Sequence, residues 1–388
     1  MRTLLNSELD QQFIDWPVHM RMAFDLAQSV VSARPNPRVG CVIVKDEKII
    51  GKGWHCAAGK AHAEVVALEN VGSDATDATV FVTLEPCAHT GRTGPCAERL
   101  IADGVSRVVI ASIDPNPQVA GNGVKKLEAA GIEVIYLADF DSQAQLLNPG
   151  FYKRHKTGLP WVRCKLAMSL DGRTALANGA SKWITGSRAR SDVQRLRLQS
   201  DAIITGVKTV IADNPSLTLR VGDLALTREQ SIANADTLKR SPLRVVLDSQ
   251  LRTPGTARLF DTDGKVVIFT SSSKQVLNTP VENVEIVHTQ AADAGVNLES
   301  VLKSLALEYE CNEVLVEAGS TLSGALLQAG LIDEFIIYIA PTFMGSDALP
   351  LIEMTGLQAM DKSLQLEFTD ISSVGKDIRV TARPLKKD

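Results

Sequence analysis

Short apolar, β-rich runs alternate with runs of helical spacing along most of this chain, and the alternation stops once and restarts. The first series has a helix-spaced run at 17–32 (PVHMRMAFDLAQSVVS) and strand-like runs at 39–45 (VGCVIVK) and 48–54 (KIIGKGW). A helix at 61–71 (AHAEVVALENV), a strand at 78–84 (ATVFVTL) and a short helix closed by Gly104 follow. A strand at 106–112, a helix at 123–131 closed by Gly131 and a strand at 132–137 complete it. Such alternation buries strands under helices in a layered α/β domain. NPGFYKRHKTGLP (148–160) interrupts the pattern with prolines, glycines and basic residues. A second series then sets the strand-like runs WVRCKLAMS, DAIITG, LRVVLDS, KVVIFT, VEIVHT, NEVLVEA and EFIIYIAP against the helix-like runs RARSDVQRLRLQS, LESVLKSLALEY and GALLQAGL. The expected organisation is one α/β domain at 17–147, a linker at 148–160 and a second α/β domain at 161–388. The polar stretch 221–241 reads as a surface excursion. A chain of 388 residues is long enough for two such cores.

Composition narrows the partners. The net charge is −4 with no dense Lys/Arg block, so no nucleic-acid footprint is expected. No run of about 18 apolar residues is present, so no membrane partner is expected. The start, MRTLLNSELDQQF, has no apolar core or cleavage site of a secretory signal. The expectation is a cytoplasmic protein acting on a small molecule. Six scattered cysteines suit reduced thiols better than a disulfide framework. Cys41 and Cys164 lie inside apolar strand-like runs and read as small core residues.

LEPCAHTGRTGPC (84–96) carries the chemistry. Its two cysteines suit a structural metal knuckle, a disulfide loop or part of an active site. His62, in HAE at 62–64, supplies the discriminating third group. His62, Cys87 and Cys96 are three ligands, which leave one tetrahedral position open, as catalytic zinc requires and structural zinc does not. Glu64 lies two residues from His62. On a continuous helix the two point about 200° apart, but in a first turn both reach a metal above the helix start. Cys96 falls at an expected helix start, where the dipole favours a thiolate. Zinc brings the pKa of a water towards neutrality, and a nearby carboxylate moves its proton to the leaving ammonia. H-x-E followed by P-C-x-x-C is the signature of zinc nucleobase deaminases. Here the second gap is eight residues instead of two.

PCAHTGRTGPC resembles the P-C-x-H-x-G-x-T-x-P-C motif of the bacterial bifunctional riboflavin-biosynthesis deaminase/reductases, with His89, Gly91, Thr93 and Pro95 matching. RPNPRVGCVIV (34–44) is similar to the start of the same family. The resemblance implies a cytidine-deaminase-like three-layer α/β/α domain followed by a dihydrofolate-reductase-like α/β domain. It implies zinc-dependent deamination of 2,5-diamino-6-ribosylamino-4(3H)-pyrimidinone 5′-phosphate, with Glu64 as the catalytic acid/base. The long gap then gains a role, because Arg92 and His89 are expected to meet the substrate phosphate while Gly91 and Gly94 let the loop turn. Asn36, between two prolines that hold it extended, is expected to contact the substrate.

The second half speaks less directly. VEAGSTLSGALLQAG (316–330) reads as strand, glycine-containing turn and helix, a shape that holds phosphate on backbone amides. It lacks G-x-G-x-x-G, so a Rossmann domain is not supported. KLAMSLDGRTA, SKWITG, GVKTVIADNPSLTLR and EAGSTLSGALL are similar, in order, to the reductase half of the same family. That resemblance implies NADPH-dependent reduction of the ribosyl group to ribityl. The cofactor contacts it implies are Ala167, Trp183, Thr209, Asp213, Ser249 and the loop Gly319, Ser320, Thr321, Leu322, Ser323, Gly324 and Ala325. The substrate contacts it implies are Ser181, Arg197, Leu217, Arg220 and Glu317. Arg197 and Arg220 suit a phosphate, and a homo-oligomer is expected. Two rivals remain at this stage. A tRNA or DNA base deaminase would use the same triad but lacks its basic stripe here. A zinc-stabilised binding module would have no use for Glu64.

Overall fold

The computed structural model describes the chain except for residues 9–14, 73, 89–93, 118, 274–282, 293–294 and 386–388. Two compact units emerge: residues 1–158 together with 226–239, and residues 159–225 together with 240–388.

In the first unit the chain runs β1 (Arg2–Leu4), α1 (Trp16–Ser29), β2 (Gly40–Lys45), β3 (Lys48–Trp54), α2 (Ala63–Glu69), β4 (Thr79–Val82), α3 (Cys96–Ala102), β5 (Arg107–Ile110), α4 (Asn122–Ala129), β6 (Glu133–Leu137), α5 (Asp141–Leu147) and α6 (Pro149–Thr157). Among the described residues these strands form a six-stranded sheet in the order β1-β6-β5-β4-β2-β3. β2 pairs antiparallel with β3 and β4, and the other pairs are parallel. Side chains alternate across the pleat. Cys41, Ile43, Val80, Val82, Val108 and Ile110 pack on one face with residues of α2, α3 and α4. Val42, Val44, Phe81, Val109 and Ile135 pack on the other with α1 and α5. Both faces are covered, which makes three layers, and each fully buried Val, Ile or Phe contributes roughly 1.5–3 kcal/mol. In α1 the buried residues Trp16, Met20, Ala23, Phe24 and Ala27 fall on one helical stripe.

The stretch read as a linker is helical. Pro149 sits in the first turn of α6, where a missing N–H costs nothing, and Gly158 ends the helix at φ 71°. Phe151 and Tyr152 are buried, so the apolar part of NPGFYKRHK packs inward.

The second unit begins with β7 (Trp161–Ser169), β8 (Arg173–Ala175), α7 (Ser187–Gln199), β9 (Ala202–Gly206) and α8 (Val207–Asp213). The chain then passes to the first unit, where it forms α9 (Arg228–Ala233), and returns at residue 240. It continues through β10 (Leu243–Leu247), β11 (Val266–Thr270), β12 (Val284–His288), the short pair β13 (Ala291–Ala292) and β14 (Gly295–Val296), α10 (Leu298–Leu307), β15 (Glu313–Val316), α11 (Ser320–Gln328), β16 (Glu334–Ala340), β17 (Leu349–Pro350), β18 (Leu366–Val374) and β19 (Asp377–Pro384). The main sheet has the order β12-β11-β10-β9-β15-β7-β16-β19-β18. It is parallel up to β16 and antiparallel over β16-β19-β18. The second unit is therefore not one continuous span. The polar stretch expected to be a surface excursion includes Asn234, which is fully buried in the first unit. A capping box of Thr227 and Gln230 starts α9.

Candidate active sites

The zinc-ligand candidates of the first unit come from two strand–helix junctions, β3–α2 and β4–α3. His62 is the residue before α2 and has extended backbone angles (φ −74°, ψ 163°), so it and Glu64 do not share a helical path and the 200° separation does not apply. Cys87 follows β4, and Cys96 opens α3 behind Pro95. His62 Nδ1 lies 3.2 Å from Cys96 Sγ and 3.5 Å from Cys87 Sγ. The three donor atoms all stand within 4.8 Å of one another. A tetrahedral ion with Zn–N about 2.0 Å and Zn–S about 2.3 Å needs donors roughly 3.5 Å apart, so the donor set and its spacing fit zinc. The amide at the start of α3, that of Cys96, donates to Cys87 Sγ at 3.3 Å. The helix start thus serves Cys87 as well as carrying Cys96. Hydrogen bonding from Cys96 holds the Cys87 thiol below its usual range, and the same contact pushes the Cys96 thiol up.

Glu64 is 4% exposed. Burial pushes its carboxyl up to about 7, against the pull of His62. A carboxyl near neutrality both accepts and returns a proton, which general acid/base work needs. α2 lies flat on β3 because β3 is glycine-rich. A Cβ on Gly53 would stand 2.2 Å from the Ala63 carbonyl oxygen and 2.4 Å from the Ala67 nitrogen.

Asn36 sits where the chain turns over Arg34–Pro35 and bends, not in an extended run. Proline's fixed φ suits that turn. Asn36 Nδ2 is 3.0 Å from His55 Nε2, and His55 Nδ1 is 3.0 Å from the Ala61 carbonyl oxygen. Burial lowers the His55 pKa to about 4, so the ring is neutral. Its Nδ1–H donates to Ala61, its Nε2 accepts from Asn36, and the Asn36 carbonyl oxygen is left to accept from a ligand. The His55 ring packs edge-on against His62 at 5.1 Å. His89 and Arg92, with Gly91 and Thr93, lie outside the described residues.

Two contributors here carry no motif. Glu85, 3% exposed, accepts from the amides of Asp114, Gly121, Gly123 and Val124. It thereby ties the Pro86–Cys87 turn to the start of α4. Gly123 completes that junction, since a Cβ there would meet the Pro86 carbonyl oxygen at 1.9 Å. The buried Asp114 is pushed up to about 7, first by its burial, with Glu85 adding to the shift.

In the second unit the expected contacts gather at the carboxyl ends of parallel strands, where open α/β sheets bind ligands. Adjacent strands β9 and β15 lead into α8 behind Gly206 and α11 behind Gly319. A Cβ on Gly206 would touch Leu322 at 3.6 Å, so the two helix starts are neighbours. Ala167 is on β7, Ser249 follows β10, and Thr209 and Asp213 are on α8. The Lys182 ammonium reaches the Asp213 carbonyl oxygen at 3.2 Å, which brings the loop of Ser181 and Trp183 to α8. Trp183 is 71% exposed, with the Arg190 guanidinium 4.7 Å over its ring. At the start of α11, Ser320 and Thr321 donate to the Glu353 carboxylate at 3.0 and 2.9 Å. Ser323 is buried, and Gly324 is packed so closely that a Cβ would meet the Glu353 carbonyl oxygen at 2.0 Å. These two positions have packing duties of their own.

Arg197 is not a free phosphate clamp in this structure. Its Nε and Nη2 donate to Glu317 at 2.6 and 2.9 Å, and its Nη1 donates to the Thr218 carbonyl at 2.7 Å. Gln194, one helical turn away, accepts from the Arg220 amide. Together they hold the segment of Leu217, which has φ 52° and is 3% exposed. Arg220 is the accessible one, paired only at the surface with Asp223. Burial pushes the Glu317 carboxyl up, but Arg197 and the missed neighbour Lys165 outweigh it and hold it below the usual range. Burial in turn lowers the Lys165 pKa.

The fold and these two sites define the class: a zinc-dependent deaminase joined to a nucleotide-dependent reductase. Comparison with known proteins agrees. Residues 17–112 match the model of the cytidine and deoxycytidylate deaminase zinc-binding region, and residues 160–380 match that of the RibD C-terminal domain. The chain is 46% identical over 361 residues to the riboflavin biosynthesis protein RibD of Escherichia coli K12, covering 93% of this chain and 97% of that protein. It is 44% identical to RibD of Haemophilus influenzae, covering 95% and 97%. Acinetobacter baumannii RibD, form 1, superposes with a TM-score of 0.85 at 43% identity, over 95% of this chain and 98% of that one. A Thermotoga maritima diaminohydroxyphosphoribosylaminopyrimidine deaminase/5-amino-6-(5-phosphoribosylamino)uracil reductase superposes with 0.82 at 32%, over 97% and 100%. The chain belongs to the RibD family of bifunctional riboflavin-biosynthesis enzymes and uses zinc and NADPH. Among the described residues no helix is long and apolar enough to cross a membrane.

Proposed function

We propose that the first unit deaminates 2,5-diamino-6-ribosylamino-4(3H)-pyrimidinone 5′-phosphate and that the second reduces the product's ribosyl group to ribityl, giving 5-amino-6-(5-phosphoribitylamino)uracil. The observation that carries the reading is the buried Glu64 beside the convergent donors of His62, Cys87 and Cys96. Zinc held by those three residues would supply an activated water. Glu64 takes the proton and returns it to the departing ammonia. Asn36, turned by neutral His55, offers its carbonyl oxygen to the pyrimidine's amino or ring N–H groups. His89 and Arg92 take the phosphate.

In the second unit, bound NADPH would supply the hydride. Amides at the start of α11, Gly319 to Ala325, would hold its phosphates, Trp183 would wall the nicotinamide, and Ala167, Thr209, Asp213 and Ser249 would complete its site. Ser181, Leu217, Arg220, Arg197 and Glu317 hold the substrate, with Arg220 on the phosphate and Arg197 shaping Glu317. The deaminase domain spans 17–147 with 226–239 added, and the reductase domain takes the remainder of 161–388. A homo-oligomer is supported by the edge strand β18 and its neighbour β19, where Phe368, Ile371 and Ile378 are exposed. A reducing cytoplasm suits six cysteines scattered over both units.

The test supplies purified enzyme with the diaminopyrimidine nucleotide, with and without NADPH. Ammonia release without NADPH, and NADPH oxidation only after deamination, is the expected result. Ammonia release from tRNA but not from the nucleotide would refute it.

A further inference from the structure

We propose that the segment Leu226–Lys239 is a positioning element of the deaminase site, acting through Asn234 and Thr237 on the loop that carries Asn36. This rests on the reading of Asn36 as a substrate contact.

The segment lies inside the sequence span of the reductase model yet packs as part of the first unit. Asn234 is fully buried and Thr237 is 2% exposed. Asn234 Oδ1 accepts from the Val31 amide at 2.6 Å, and its Nδ2 donates to the Ser29 carbonyl at 3.0 Å. Thr237 Oγ1 donates to the Ser32 carbonyl at 2.6 Å. Ser29 ends α1, so its carbonyl has no partner within the helix, and Val31 and Ser32 are buried in the loop that follows; buried backbone groups of this kind need partners. The same loop is clamped at its far end by Asn148. Asn148 accepts from the Arg38 amide at 2.8 Å and donates to the Arg38 carbonyl at 2.9 Å. Asn36 lies between the two clamps, four residues from Ser32 and two from Arg38. The segment also meets the second loop of the site, because Asp236 stands 3.6 Å from Lys60, next to Ala61, whose carbonyl fixes the His55 tautomer. Both loops that aim Asn36 are therefore touched by one segment that supplies none of the three zinc-ligand candidates.

The test uses the full-length, zinc-loaded enzyme with Thr237→Val, Thr237→Ser, Asn234→Ala and Asn36→Ala. Deaminase KM and kcat are measured by ammonia release, alongside reductase kinetics and zinc content. Loss of the Thr237 hydrogen bond, or of the two that Asn234 makes to the loop, is expected to raise deaminase KM roughly tenfold while kcat stays within about twofold. Thr237→Ser should restore KM, and zinc content and reductase kinetics should not move. Wild-type KM in Thr237→Val and Asn234→Ala, with Asn36→Ala impaired, would overturn the proposal alone. So would loss of zinc or of reductase activity in Thr237→Val, since the segment would then only keep the unit folded. If Asn36→Ala itself behaves as wild type, the reading of Asn36 as a substrate contact fails, and the role assigned through it falls with it.

Discussion

Gly53→Ala is a one-methyl change with a defined mechanical consequence. The new Cβ would stand 2.2 Å from the Ala63 carbonyl oxygen, 2.4 Å from the Ala67 nitrogen and 3.0 Å from the Ala67 Cα. All three are backbone atoms of α2, so no side chain can swing aside. Relief requires α2 to rise from β3 by about 1 Å, and Glu64 rides on its first turn with His62 attached just before it. A misplacement of about 1 Å at reacting groups lowers rate on the order of 100-fold, and overpacking of this kind destabilises by about 1–3 kcal/mol. The expected result is a deaminase kcat down roughly 100-fold and a lowered urea midpoint for the first unit, with reductase turnover unchanged. Gly222→Ala, where a Cβ would meet nothing within 4 Å, is the control. A Gly53→Ala enzyme with deaminase kcat within about threefold of wild type would refute the view that close packing of α2 on β3 sets the site.

Glu64→Gln should lower deamination by about 10²–10⁴-fold while zinc stays bound; metal analysis beside an ammonia assay checks both. Chelation should abolish deamination and leave NADPH oxidation with the deaminated substrate intact. His55, with a folded pKa near 4 against 6.5 unfolded, binds fewer protons folded than unfolded between those values. Stability should therefore rise with pH across that window, by an amount on the order of 3 kcal/mol at most, and His55→Gln should flatten the rise in urea titrations. Arg197→Ala leaves the Glu317 carboxylate buried without its main partner and should cost the second unit about 3–5 kcal/mol; an unchanged denaturation midpoint would count against the ion pair.

How much of this was legible in the sequence depends on where the signal lies. His62, Glu64, Cys87 and Cys96 stand in short ordered motifs, so the zinc set and its neighbour could be picked out before any geometry. His55 and Glu85 could not. Each acts through a partner distant in the chain, Asn36 for one and the α4 amides for the other, and neither sits in a pattern that marks such a pairing. The alternating core strands were legible because both faces are apolar. The β18–β19 hairpin was not, because most of β18 is exposed and its side chains carry no apolar alternation. The 226–239 segment was misread for a related reason. Its buried members, Asn234 and Thr237, are polar, and hydrophobic periodicity does not register polar side chains that bury themselves by bonding to backbone.

That segment has a consequence on the ribosome. Domains at the start of a chain ordinarily close as soon as they emerge. Here the first unit ends its main run at residue 158, but its last piece is made about 80 residues later. At roughly 5–20 residues per second that is a delay of about 4–16 s. During it, the carbonyls of Ser29 and Ser32 and the amide of Val31 await Asn234 and Thr237. The deaminase is finished only when residues 159–225, nearly a third of the reductase, have been synthesised. For the same reason, no single cut in the gene separates the two domains: a fragment that keeps residues 226–239 with the deaminase also carries residues 159–225 of the other unit.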